Sequence, residues 1–465
     1  MKVYHDIEKL FESWKKRKLT LFGKCSIINT LAVPKLIYLS TILELPEENY
    51  IKNINRLIFK FLWNNHDRIK RNTVIGDIKD GGIGLIDIES KLKALKAAWV
   101  PRLLETKHAI NDFVNSFFKE LNIDIRFISI TSEISIKKFD IVQKMPQFYK
   151  EIFSCFNICK TRPEFKTTES FLKQPIWSNS SFTYKGKTVC FKNWIKSGIL
   201  FTKHLFNTNG ELKSLDDFAT VIHNKSNWLC EYTILQKVFR KYEKNFDFSK
   251  KNYIHLEIDK LIPEKQNTNF FYSILKNKKF QISCSQQKLS NEFQISSKSD
   301  WERIYFNKIK SMEDKKIAEF NYKLLNNILC NNLYLSKWNS QVNKKCKVCQ
   351  NDTENIRHLI FDCKNVQKIW NAISDFVTFQ VQWKHVIIGF YSSQNNTIKV
   401  YNLLFSFISY KIYKHKMYCR LENTEETEQS LFYAVKDSVL IYSNVLKYMR
   451  KTCDGIFFKK LYLKL

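Results

Sequence analysis

Glycine and proline are scarce, 10 and 7 in 465 residues. So few turn-formers argue against a propeller or a many-stranded sandwich and favour long helices. Acid is short too: 76 Lys and Arg stand against 45 Asp and Glu, a formal charge of +31. That excess favours a polyanionic partner, nucleic acid ahead of an anionic membrane. An A/T-biased coding sequence that inflates Lys and Asn everywhere would give the same excess. The opening MKVYHDIEKLFESWKKRKLT lacks the apolar stretch of a secretory signal. The longest apolar run, around Val400 to Tyr413, holds Asn402 and Lys411 and is too short to span a bilayer. The expected location is cytoplasmic and/or nuclear, not secreted, with no membrane partner.

Two catalytic signatures are also missing. The one glycine cluster, Asp80-Gly81-Gly82-Ile83-Gly84-Leu85, fits neither GxGxxG nor GxxxxGK[ST]. It reads as a turn, although bare backbone beside Arg68, Lys70 and Arg71 could approach a phosphate. The one adjacent aspartate pair, Asp216-Asp217, follows Ser214 and reads as a helix start, not as a pair of magnesium ligands.

What is abundant is apolar and aromatic: 44% hydrophobic residues, with 37 Phe and 21 Tyr. The chain is therefore globular, long enough for roughly two to four domains with a sizeable core. Helical spacing appears over residues 6–33, with Pro34 expected to end or kink the helix. From Glu47 to Trp63, Tyr50, Ile51, Ile54, Leu57, Ile58, Phe61 and Leu62 mark one apolar face. Thr183–Val189 reads as a small hairpin. Nearby Phe182, Tyr184, Phe191 and Trp194 suit a core better than base stacking. Residues 276–300, rich in Lys, Gln, Ser and Asn, read as an exposed linker. Further helical faces lie at Trp301–Ile309, Phe320–Ile328, Val366–Phe376, Leu403–Tyr410 and Leu431–Tyr448, with Lys411, Lys414, His415 and Lys416 as a basic helix end. The fold class is mainly α with small β hairpins.

The sharpest motif is CKVCQNDTENIRHLIFDC, which sets Cys346, Cys349, His358 and Cys363 close together. Three thiols and an imidazole are the donor set of one tetrahedral zinc ion. A CxxC pair lets a tight knuckle turn both sulfurs toward one point. The filled set leaves no position for water, so the zinc would be structural. His358 and Cys363 are five residues apart, more than an ordinary helical turn brings together, so a local distortion or loop is expected after His358. Two other readings remain for the same residues: unrelated buried thiols, or a Cys346–Cys349 disulfide. Lys344, Lys345 and Lys347 flank the first ligands and suit phosphate contact. Lys15, Lys16, Arg17 and Lys18 form a further basic run, either an import signal or a solvated helix face.

WKKRKLTLFGKCSIINTLAVPKLIYL (14–39), IFKFLWNNHDRIKRN (58–72) and DGGIGLIDIESKLKALKAAWVPRLL (80–104) resemble the region just after the polymerase core in LINE-type (non-LTR) retrotransposon reverse transcriptases. The segments 175–199 and 319–338 resemble a recurring stretch of those proteins and the lead-in to their C-terminal zinc-binding domain. The Cys346/Cys349/His358/Cys363 set, followed by Trp370, matches that domain's pattern. The resemblance implies a thumb-like helical region over 1–105, a helical middle region with the hairpin near 182–191 over 106–275, the linker, a zinc-binding domain over 301–390 and C-terminal helices over 391–465. It also implies a grip on template RNA and target DNA, with Lys15, Lys16, Arg17, Lys18, Arg68, Lys70, Arg71, Lys344, Lys345 and Lys347 as contacts. There is no room for a palm or endonuclease ahead of residue 14, so no catalysis is expected of this chain alone. Met1 would be an internal methionine, and a palm in a longer product a partner. The contrasting expectation is a domesticated helical scaffold that binds protein.

Overall fold

With few helix breakers, helical registers run long and loops are built from polar caps. A computed structural model describes residues 2–105, 109–119, 122–131, 145–160, 165–222, 226–243, 245–246, 248, 256, 266–350, 352–392, 395–449 and 451–465. Among them the protein is mainly α, with one two-stranded hairpin. Two compact units emerge: Met1–Ala32 with Ile54–Ile86 and Phe280–Leu465, and Val33–Asn53 with Asp87–Lys279.

In the first unit, helix Lys2–Lys15 buries Ile7 and Phe11, and Phe11 stacks on Phe61 at 4.4 Å between ring centroids. Residues 54–63 supply Ile54, Ile58, Phe61 and Leu62 to the same core. Gly76 and Gly82 are set by close packing. A Cβ on Gly82 would lie 2.0 Å from the Gly76 carbonyl oxygen, and one on Gly76 would lie 2.2 Å from the Phe280 ring. Helices Lys315–Leu325, Lys364–Val377, Asn396–Leu421 and Glu428–Tyr448 complete this core. The expected 301–390 and 391–465 regions therefore belong to one unit.

The second unit has an aromatic core. Phe171, Phe182, Phe206 and Phe239 are fully buried, and Phe246 stacks on Phe171 at 4.6 Å. The hairpin pairs Thr183 with Thr188 and Tyr184 with Lys187. Its turn residues, Lys185 and Gly186, both have positive φ, the type I′ requirement. Phe182 and Trp194 are fully buried, as expected of core residues, and Trp194 Nε1 donates to Glu231 at 2.9 Å. Asp217 forms a capping box with Ser214, so the aspartate pair starts a helix.

Three expectations need correction. Residues 276–300 are not an exposed linker: they complete helix Thr268–Lys279, form helix Cys284–Phe293 and begin Lys298–Tyr305. The serines that suggested a loop are helix caps, with Ser283 accepting from Gln286 N and Ser297 from Ser299 N. Buried Gln286 accepts a hydrogen bond from Tyr305 at 3.0 Å. Second, of the two outcomes expected at Pro34, an end or a kink, the helix does not end there. A π-helical turn, Ile28–Ala32, precedes it, and α-helix continues through Val33–Ile42. A proline ring collides with the carbonyl four residues back, and the wider turn makes room. Third, the 400–413 run is not the longest apolar stretch. The continuous helical run Leu21–Ile42 is long and apolar enough to cross a membrane by length and composition, with 33% of its window buried in the protein.

Candidate metal centre

The knuckle is assembled by backbone hydrogen bonds. Lys345 bridges Thr353, Cys346 N–H donates to Asp352 O at 2.9 Å, and Glu354 N–H donates to Lys344 O at 2.9 Å. Between them Gln350, with φ of 56°, donates to Cys346 O at 2.8 Å. This left-handed turn folds the CxxC segment back so that both sulfurs face inward.

The second half of the site solves the five-residue spacing. Asn355 accepts from His358 N at 2.8 Å and starts a helical turn. His358–Asp362 is a π-helix, closed by Cys363 N–H donating to His358 O at 3.0 Å. A π turn bonds residue i to i+5, so positions five apart fall on one face. The expected distortion after His358 is this turn. Trp370 Nε1 donates to Ile360 O at 2.9 Å and pins the turn to helix Lys364–Val377.

The four donor atoms lie within 4.8 Å of one another. Cys363 Sγ is 4.0 Å from Cys346 Sγ and 3.7 Å from Cys349 Sγ. Tetrahedral zinc with bonds of about 2.3 Å sets its sulfurs roughly 3.8 Å apart, whereas a disulfide holds them at about 2.0 Å. All three cysteines are free thiols. His358 is buried, and among the described residues its Nε2 has no hydrogen-bond partner. A buried ring nitrogen without a partner is costly unless a metal takes its lone pair. Its Nδ1 lies 3.8 Å from the Asp352 carboxylate. The donor set fits one structural zinc ion.

Electrostatics agree. The Cys363 thiol, hydrogen-bonded to Cys346, pushes the Cys346 pKa far down, while Cys363 itself is driven up. The Cys346 sulfur raises the His358 pKa. Without a metal Cys346 and Cys363 share a proton, which binding must expel. Zinc with three thiolates carries one net negative charge, and a buried cation stands close by. Lys416, 1% exposed, pairs with Glu426 at 2.9 Å, and Cys363 and Cys346 help raise its pKa. Lys416, on the basic end of helix Asn396–Leu421, is thus buried, which the sequence does not show.

Sequence reasoning also missed Glu354. This buried carboxylate accepts from Asn332 N at 2.9 Å and pairs with Arg420. It ties the knuckle to the turn Asn332–Leu335 and to helix Asn396–Leu421. In the sequence it is one acid among the polar letters of QNDTEN, with no signal of burial. Glu354→Gln is expected to cost about 2 kcal/mol, because the Arg420 charge loses its counter-ion. Thermal denaturation of the metal-loaded protein checks this, with zinc content expected to stay unchanged.

The proposed contact residues are all exposed: Lys15, Lys16, Arg17, Lys18, Arg68, Lys70, Arg71, Lys344, Lys345 and Lys347. Among the described residues only Arg71 has a carboxylate partner, Asp67 at 2.8 Å. Arg71 also lies over the Phe59 ring at 4.5 Å, and Arg17 over Trp14 at 4.2 Å. Residues far apart in sequence meet at Lys24. Its Nζ donates to Phe61 O at 3.1 Å and Asn64 Oδ1 at 2.6 Å. Burial lowers its pKa, and the charges of Lys323, Lys15 and Arg68 add to that. Arg68 also acts on Cys330 and Tyr413, beside the lead-in to the knuckle. Lys15 and Arg68 thus both act on Lys24, a proximity that the sequence does not reveal.

A family model described as zinc-binding in reverse transcriptase matches residues 280–370. It starts inside the segment first read as a linker and contains all four donors. No curated protein matches the chain.

Proposed function

We propose that this chain is the zinc- and nucleic-acid-binding C-terminal part of a LINE-type reverse transcriptase. It would grip template RNA or target DNA while a palm supplied by a longer product copies. The observation that carries the reading is the complete Cys3His set inside a stretch that matches a reverse-transcriptase zinc-binding model. Exposed Lys344, Lys345 and Lys347, which flank it and have no carboxylate partner among the described residues, supply the physics: neutralised phosphates release counter-ions, so affinity falls steeply with salt. On this reading the chain polymerises nothing alone and works where nucleic acid is, in the cytoplasm or nucleus.

Fluorescence anisotropy of a labelled single-stranded RNA, titrated with the full chain at several salt concentrations, tests it. Log affinity is expected to fall linearly with log salt. Replacing Lys344, Lys345 and Lys347 together by alanine should reduce the slope by about 2, at roughly 0.7 per phosphate contact. Binding that is absent or indifferent to salt would overturn the proposal. It would favour a protein-binding scaffold, for which helix Glu428–Tyr448 offers exposed Tyr433, Ile441, Val445 and Tyr448.

A further inference from the structure

Trp338 is 75% exposed, whereas Trp63, Trp177, Trp194, Trp301, Trp370 and Trp383 are buried. Its backbone nonetheless does not belong to a free loop. Its backbone N–H donates to Leu335 O at 3.0 Å, at the end of the turn Asn332–Leu335. That turn is bonded to the knuckle three times. Asn332 N donates to Glu354 Oε1 at 2.9 Å, Asn332 Nδ2 to Lys345 O at 2.9 Å, and Leu333 N to Glu354 O at 3.1 Å.

The indole meets a second ring from a distant part of the sequence. The His66 imidazole lies 6.4 Å away, centroid to centroid, tilted by 31°. His66 belongs to the loop after Trp63, where Asn64 and Asn65 both have positive φ, and two residues later comes exposed Arg68. The nearest cations in sequence to Trp338 are exposed Lys337 and the knuckle's Lys344, Lys345 and Lys347. Among the described residues none of these, nor Arg68, is paired with a carboxylate.

We infer that Trp338 and His66 form a stacking platform for an unpaired base, so that the ligand of this surface is single-stranded nucleic acid. The inference rests on the nucleic-acid reading above and deepens it. Every base has a π-face, and an exposed indole takes one without reading its identity. In a duplex the faces are already stacked on their neighbours, so the platform discriminates against paired strands. The metal contributes through the knuckle, whose bonds to the turn Asn332–Leu335 fix where Trp338 stands.

The test uses the full zinc-loaded chain and labelled oligonucleotides of about 12 nucleotides. They are an RNA strand, a DNA strand of the same sequence, the duplex, and a single strand with abasic sites. Trp338→Ala is expected to weaken both single strands about tenfold, with the salt slope and duplex affinity unchanged. Trp338→Phe should restore most of the loss, and His66→Ala should lose less than Trp338→Ala. Abasic substitution should weaken wild type but not Trp338→Ala, a dependence that a purely structural tryptophan would not produce. A loss confined to RNA or to DNA would name the source of the strand. If wild type binds in a salt-dependent way and Trp338→Ala changes nothing, or weakens duplex equally, the platform is wrong and the broader reading stands. If wild type binds no strand at all, both fall.

Discussion

His358→Ala and Cys349→Ser are each expected to strip the metal and loosen the whole neighbourhood of the knuckle. Wild type should carry about one zinc per chain by mass spectrometry, and either variant far less. The energy at stake is large, because a structural zinc's binding free energy is also folding free energy, on the order of 10 kcal/mol. Amide exchange should report the loss beyond the ligands. Protection should fall over residues 340–380 and also over the turn Asn332–Leu335, which Glu354 and Asn332 bond to the knuckle. Acidification should act like the mutations. The three sulfurs and the imidazole must be deprotonated to bind, so zinc affinity falls as protons return to them. Unchanged metal content in both variants would remove the site, and with it the strongest support for the proposed function.

The four donors were legible because metal chemistry constrains residue type and spacing together. The π turn at His358–Asp362 was half legible: five residues between donors demand a distortion, but nothing in HLIFDC says which kind. Glu354, Lys416 and Arg420 were not legible. Their letters are those of solvated surface, and only the folded chain shows that Glu354 and Lys416 are buried and paired. The 276–300 stretch misled for a related reason. Serine occurs both in loops and at helix starts, and Ser283 and Ser297 sit at starts. Pro34, expected to end or kink its helix, does not end it, because the rule that proline ends helices assumes a regular turn before it, and Ile28–Ala32 is wider. The meeting of His66 with Trp338 is a long-range contact that no local pattern encodes.

The same blindness hides the residue with the second-largest predicted effect. In FNKIKSM, Lys308 looks like one more surface cation, yet its side chain is fully buried on the π-helical turn Phe306–Lys310. Its Nζ donates to Val386 O at 2.7 Å and lies 3.2 Å from Ser406 Oγ, with no carboxylate partner among the described residues. Burial lowers its pKa from 10.5 to about 7. The unfolded chain therefore binds a proton across this window that the folded chain refuses. The penalty is fully present below the folded value and is relieved as pH rises toward the unfolded one. At about pH 7 it amounts to roughly 4 kcal/mol, and at about pH 9 to roughly 2 kcal/mol. Lys308→Met keeps the apolar stem and removes the charge, but leaves the Val386 carbonyl without its donor at a cost of about 1–3 kcal/mol. The variant should thus be more stable than wild type near neutrality by about 1–3 kcal/mol, an advantage that shrinks toward nothing by about pH 9. Cys25, pushed up to about 12 by burial, and the raised Tyr305 and Tyr322 destabilise both proteins at still higher pH. They cancel in the difference between the two. Chemical denaturation of zinc-loaded wild type and Lys308→Met across this range reads that difference directly. Parallel stability curves would mean that Lys308 keeps its proton in the folded protein. A gap that closes with rising pH is the signature of a lysine folded in its neutral form.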